Sequence, residues 1–436
     1  MKNFVRAFLL LALVITGSGA LPAADATYYV VYNLTSQELA ANAVAQGSPG
    51  LFYATNYRTT ISVTLQGVAA TLASFPNGYD VQSNPGAIAE NGLLYSSVQV
   101  PATNTGNVFS VGPTVGSQKN YSDQTLSPFL TSSLPNGKLF GLAYGFLDGV
   151  YRLSTTDLGG NVTSFYQFSP SDRPGKPIYA ADGNFYGVSY LAVSGAPSYF
   201  YRVTPAGAFT QIASLPFSGG AFVGSGLLLQ ASDGNFYGIQ QEDGCSSAYQ
   251  HGTVYRITPS GQFTILHDFG VCADAIVNSL IEGSDGKLYG ITQGNSQLFS
   301  ITTSGVYHKI ALTNTFTGLC PCGLIQGSDG RIYGAAGGGG AYGAGVIFAI
   351  HAGLPVPKPQ PRQFSPASGA VGTQVRIWGY NLLRASVQFS GAAATKVHNA
   401  GPNYVWATVP SGATTGPIMV TTPGGTVMTE ASFTVQ

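Results

Sequence analysis

From residue 278 to 312 the chain passes through four short apolar segments, SLIEG, KLYGIT, QLFSIT and VYHKIAL, set apart by polar and glycine-bearing stretches. Runs of this length bounded by Gly, Ser and Asp predict strands. SDG joins the first segment to the second and TSG the third to the fourth. An Asp-Gly pair suits a tight hairpin, because Gly takes positive φ freely and Asp tolerates it. The preceding unit, SGLLLQASDGNFYGIQ followed by GTVYRITPSGQFTILHDF, has the same order with a longer insert between its second and third strands.

The motif recurs. GSPGLFYAT (47–55), AENGLLYSS (89–97), LPNGKLFGL (134–142), AADGNFYGV (180–188), ASDGNFYGI (231–239), GSDGKLYGI (283–291) and GSDGRIYGA (327–335) mark seven repeats. Their turn glycines, from Gly50 to Gly330, are spaced by 42, 45, 46, 51, 52 and 44 residues. Four antiparallel strands per repeat of this length predict a propeller blade. No sustained helical period supports a helical solenoid, and the coils of a parallel β-helix are shorter. The expected fold is therefore all-β, a seven-bladed β-propeller over residues 27–352. Its last repeat stops after GVIFAIHAG, one strand short, while TYYVVYNL (27–34) precedes the first repeat as a stray strand. We expect that strand to complete the seventh blade and remove an exposed edge.

Composition narrows the setting. Lys2 and Arg6, the apolar run AFLLLALVITG and the small residues ADA at 24–26 read as a signal peptide over 1–26, too short to span a bilayer securely. The mature chain is expected to be secreted, periplasmic or at the cell surface, with no transmembrane segment, and monomeric. Only 8% of residues are charged and the formal net charge is zero, which excludes the basic footprint of a nucleic-acid binder. Many aromatics and turn residues suit a β-rich exterior protein.

The stretch HGTVYRITPSGQFTILHDF, with LIEGSDGKLYGITQGN after it, resembles the consensus of the choice-of-anchor tandem repeat proteins of the GloVer type, exported bacterial proteins. The resemblance covers roughly residues 27–352, strongest over 180–350, and implies propeller-forming repeats without an assigned activity. No C-terminal sorting tail of that pattern is read in the sequence, so a departure from the family on this point is expected.

LPVPKPQPR (354–362) alternates Pro with other residues and predicts a stiff extended linker, set at 353–363. FSPASGAVGTQVRIWGYNL (364–382), ASVQFSG (385–391), YVWATVPSGATTGPIMVTTPGG (404–425) and SFTVQ (432–436) follow as short alternating strands. They resemble the IPT/TIG immunoglobulin-like domain, which implies a small β-sandwich over 364–436 serving as a spacer or binding module.

Candidate chemistry is sparse. Asp182, Asp233, Asp285 and Asp329 recur, but each precedes a turn Gly, where Asp bonds its own backbone; calcium needs several oxygens converging on one ion. Tyr186, Tyr237, Tyr289 and Tyr333 recur at equivalent positions and read as packing between blades. In a blade the loops between strands two and three share a face with those between strand four and the next blade. Glu242, Asp243, Cys245 and His251 thus fall on the same face as Cys272, Asp274, Cys320 and Cys322. We read Glu242, Asp243, His251 and Asp274 as a candidate binding rim.

Export permits a Cys245–Cys272 disulfide closing about 27 residues, with Cys272 to Cys320 or Cys322 as the alternative pairing. Cys-Pro-Cys has no second half, so no metal is expected. His267 and His308 lie in outer strands. No nucleophile elbow, phosphate loop or zinc-protease motif occurs, and the inner-strand segments carry one carboxylate, Glu282. The expectation is a non-catalytic binding or surface-interaction scaffold, without cofactor, for a protein or carbohydrate ligand. The alternative is an extracellular hydrolase or lyase using the central funnel.

Overall fold

The structure, a computed structural model, describes residues 26–436 apart from 37, 39–42, 57, 77–79, 82–85, 101–102, 104, 122–125, 193–195, 219–227, 241–250, 272–276, 293–295 and 313–317. The described residues are all strand, turn and irregular backbone, with no helix; accordingly no helix among them is long and apolar enough to cross a membrane.

Among the described residues, 27–351 contain seven antiparallel sheets, each taken from consecutive stretches of chain: 43–74, 80–120, 126–167, 172–218, 228–271, 277–310, and 318–351 joined by Thr27–Asn33. In the seventh, Thr27–Asn33 is the fourth strand, lying antiparallel to Val346–His351 with Thr27 opposite His351 and Asn33 opposite Val346. The first strands of the second and fourth sheets are split. In the fourth, Asp172–Pro174 and Ile178–Tyr179 flank Gly175, Lys176 and Pro177, where prolines cannot donate to the ladder.

Neighbouring sheets touch chiefly through their first strands, in chain order, and the seventh touches the first. The sheets therefore close a ring with first strands innermost. Apolar residues fill the spaces between them. Tyr237, Ile239 and Val254 of the fifth sheet share a core with Leu288, Phe299 and Ile301 of the sixth, and Phe52 and Ile61 of the first share one with Tyr333 and Ile347 of the seventh.

Residues 360–435 form two further sheets. Gln360–Ser365, Gln374–Tyr380, Tyr404–Thr408 and Val397–Asn399 make one, and Ser386–Phe389, Gly416–Thr422 and Gly425–Val435 are the main strands of the other. Alternation sends Val375, Ile377, Val405 and Ala407 inward, where they meet Val387, Phe389, Ile418, Val420 and Phe433. The opposite face of the first of these sheets carries Arg376, Trp378, Tyr404 and Trp406.

Because strands alternate in direction, all first-to-second and third-to-fourth turns of the ring emerge on one face. The remaining connections emerge on the other. The turn face is the more regular: the first-to-second turns 89–93, 134–138, 180–184, 231–235, 283–287 and 327–331 are each five residues long, that of the first sheet is two (49–50), and the third-to-fourth turns run from four (65–68) to seven (112–118). On the loop face the strand ends are separated by three residues (56–58) to ten (241–250, outside the described residues).

Candidate binding face

Glu242, Asp243, Cys245, Cys272 and Asp274 lie outside the described residues. His251 is the first residue of the strand His251–Ile257, opposite Val271, so it stands where a strand reaches the loop face rather than within the loop. Cys320 and Cys322, expected in a loop, lie in a strand. They belong to Gly318–Gln326, the innermost strand of the seventh sheet, where Pro321 is paired with Ala336 and Cys322 with Ala335. The ladder begins earlier than the turn signals suggested, because the long glycine-rich partner strand Ile332–Gly339 extends it. Among the described residues no group of three or more His, Cys, Asp or Glu is placed to hold a metal.

The recurrent carboxylates are engaged in the turns. Asp182, Asp233, Asp285 and Asp329 each accept the backbone N–H two residues on, at 3.0, 3.0, 3.2 and 3.1 Å. Each also accepts the phenol four residues on, from Tyr186, Tyr237, Tyr289 and Tyr333, at 2.8, 2.7, 2.9 and 2.7 Å. Sequence reading found both residue types but not their bond, although the constant spacing of four was visible. Burial, with the bond to Asp182, pushes the Tyr186 phenol up to about 12. Burial works to raise the carboxyl of Asp233, but bonds from Tyr237 and Asn235 outweigh it and hold it below the ordinary value.

A depressed carboxyl contributes stability that is fully present above its unfolded pKa, near 4, and lost as pH falls through the folded value. Tyr237→Phe is therefore expected to cost about 1.5 kcal/mol at pH 7, and the difference from wild type to shrink in urea titrations below about pH 4. A difference constant with pH would mean that the charged carboxylate is not what the phenol stabilises.

A second recurrence ties sheet to sheet. Four residues before the turn glycine, Gln230, Glu282 and Gln326 end the first strands of sheets five, six and seven, and Gln46 lies two residues before the end of that of sheet one. Each accepts the N–H of the residue two before the turn glycine in the preceding sheet: Gln230 from Ala181 at 2.8 Å, Glu282 from Ser232 at 2.9 Å, Gln326 from Ser284 at 2.8 Å and Gln46 from Ser328 at 2.9 Å. Glu282, the carboxylate singled out on an inner strand, is thus an inter-sheet clip. Gln326→Ala is expected to lower stability by about 1–2 kcal/mol, read by denaturant unfolding, since it strands a backbone donor. An unchanged midpoint would show that water replaces the clip without cost.

On the loop face, the hairpin between the second and third strands of sheet three is held by Asp148, which accepts from Arg152 and from the Val150 N–H. The bond from Arg152 keeps the Asp148 carboxyl below its ordinary value. Leu147 at its tip is 83% exposed. Tyr144 packs on Phe146 and Tyr151, with ring centroids at 5.7 and 4.9 Å. In the break between the two segments of sheet four's first strand, burial lowers the Lys176 amine to about 8. Neither feature announced itself in the sequence, where Lys176 sits between Gly and Pro in an apparent loop. His267 stacks on Tyr307 of the next sheet at 3.8 Å, and burial lowers its pKa; its role is packing between outer strands.

Sheets, clips and recurrent turns define an all-β repeat protein. Residues 173–356 match the model of the Gloeobacter/Verrucomicrobia repeat. No curated protein matches the chain. Among solved structures, the chain is similar to a streptogramin B lyase at 14% identity and a TM-score of 0.55, over 77% of this chain and 100% of that one. It is also similar to a catalytically inactive virginiamycin B lyase from Staphylococcus aureus with quinupristin, at 16% identity and a TM-score of 0.54, over 75% of this chain and 99% of that one. At these identities the likeness shows a β-propeller-like fold and carries no chemistry.

Proposed function

We propose that the chain is an exported binding scaffold, a seven-bladed β-propeller closed by its N-terminal strand and followed by an immunoglobulin-like domain, which holds a ligand on its loop face. The observation that carries this reading is the asymmetry of the two faces. Six of the seven first-to-second turns are five residues long, polar side chains clip that face at four of the junctions, and the C-terminal domain rests on the rest of it. The loop face has connections of unequal length, and irregular loops on a rigid scaffold are where binding residues concentrate.

His251 begins a strand at that face, and the sequence reading assigns Glu242, Asp243 and Asp274 to the same rim, next to the junction of repeats five and six. Tyr144, Phe146, Leu147 and Tyr151 supply apolar and phenolic contacts further round. Acidic, aromatic and hydroxyl groups together suit a protein or carbohydrate ligand, bound without a cofactor. The similar structures are lyases by name; acid/base work in a funnel needs titratable groups on inner strands. There Glu282 is committed to Ser232, and Lys176, in the break of one such strand, is the group on which that second reading would rest.

The exported protein, applied to glycan and peptide arrays, tests this reading beside a variant carrying Glu242→Gln, Asp243→Asn, His251→Ala and Asp274→Asn. Retention of a ligand is expected to weaken by about tenfold or more, with an unchanged thermal midpoint. Turnover of a retained ligand would replace the binding reading by a hydrolase or lyase. Equal retention by the variant would remove these four residues from the site.

A further inference from the structure

The clip that joins sheets four to five, five to six, six to seven and seven to one is missing at the other three junctions. At its position, four before the turn glycine, the second, third and fourth sheets have Ile88, Ser133 and Tyr179. The donor side changes as well: where Ala181, Ser232, Ser284 and Ser328 offer an N–H, the third sheet has Pro135, which has none.

These three junctions are the ones under the C-terminal sandwich. Ile88 lies so close to Gly401 that a Cβ there would stand 2.6 Å from its Cγ2. Ser133 Oγ accepts from Asn403 Nδ2 at 3.1 Å. Tyr179 meets Trp378 edge-on, with centroids 5.8 Å apart. Beside them Arg376 pairs with Glu90 at 2.6 Å, and Tyr404 donates to the Leu134 carbonyl. The linker is held over the clipped side, where Ser284 Oγ and Gln326 Nε2 donate to the Pro355 carbonyl. Trp378, Ala400 and Tyr404 form a buried cluster at the contact.

We infer that the sandwich is a built-in brace of the ring. The turn face of sheets two to four is a docking surface for this chain's own C-terminal domain, which joins those sheets where the ring has given up its clips. The sandwich is then a fixed part of the ring rather than a spacer or a free binding module, and its Arg376, Trp378, Tyr404 and Trp406 face is closed to other partners. This goes beyond the binding reading and does not depend on it.

The brace makes an inversion of sign testable. Ser133→Gln restores an acceptor in reach of the Glu90 N–H, but its added bulk lies where Asn403 docks. In the otherwise wild-type chain it is expected to loosen the sandwich. In an Arg376→Ala/Trp378→Ala chain, already undocked, it is expected to steady the ring.

Hydrogen exchange on the full chain reads both effects. Undocking is expected to speed exchange across residues 87–203 by about tenfold or more while 277–351 is unchanged, and Ser133→Gln to slow it again in that background only. Trp406, the tryptophan left in the undocked chain, gives a second readout through acrylamide quenching. Ser133→Gln acting in the same direction in both backgrounds, or undocking that leaves exchange in 87–203 unchanged, overturns the inference.

Discussion

Removing Thr27–Asn33 is expected to have the largest effect of any short change to the ring. The strand carries Tyr28, 3% exposed and packed on Phe348 with centroids at 6.0 Å, while Val31 and Tyr32 cover the core shared by the seventh and first sheets. Its ladder with Val346–His351 is the fourth strand of the seventh sheet. Without it that sheet ends on an unpaired outer edge, and the apolar contacts on both sides are laid open.

A loss on the order of 5 kcal/mol or more follows from apolar burial and ladder bonds together, comparable with the whole stability of many domains. Such a chain should aggregate or unfold without a single cooperative transition, because an open apolar edge recruits other strands. Adding a synthetic peptide of residues 26–34 should restore it by strand addition. A truncated chain with an unchanged denaturant midpoint would show that the N-terminal strand is not what seals the ring.

The second large effect concerns a glycine in the middle of a strand. Gly290 has no Cβ, and one built there would stand 2.3 Å from Cζ of Phe299, whose ring is fully buried between the fifth and sixth sheets. The same relation recurs at Gly187 with Tyr201, Gly238 with Tyr255 and Gly334 with Phe348. In each the third strand's aromatic ring lies across the glycine that follows the turn tyrosine or its equivalent in the second strand.

Gly290→Ala must push the ring aside in a close-packed space, at about 2–3 kcal/mol. Phe299→Leu removes the obstructing ring edge, so the double variant should cost less than the sum of the singles by about 1 kcal/mol or more. Strict additivity in denaturant titrations would mean that the ring does not need the glycine.

The parts legible in the sequence were those written within a few residues. Asp285-Gly286 specifies its hairpin through backbone preference alone. The alternation of SLIEG, KLYGIT, QLFSIT and VYHKIAL is enough to place four strands. The Asp-to-Tyr spacing was equally local and was missed because the two residues were judged separately, one as turn and one as core. The glycine after the tyrosine was legible as a break in strand propensity, but its reason lies across the sheet in another strand.

What the sequence determined by itself was the repeat, its period and its strand and turn order, because each depends on neighbours in the chain: φ at a turn glycine, and alternate side chains on a strand. Tertiary structure decided the rest. Ser328 meets Gln46 across 282 residues and Arg376 meets Glu90 across 286, and no local preference encodes either pair. Ile88, Ser133 and Tyr179 look like ordinary variation until Gly401, Asn403 and Trp378 stand against them. Trp378 and Trp406 fall on the face of their sheet opposite the sandwich core, and packing against the ring makes that face an interface. A hydrogen bond or an apolar contact has meaning only when both partners are in place, and for these residues the partner is supplied by the fold.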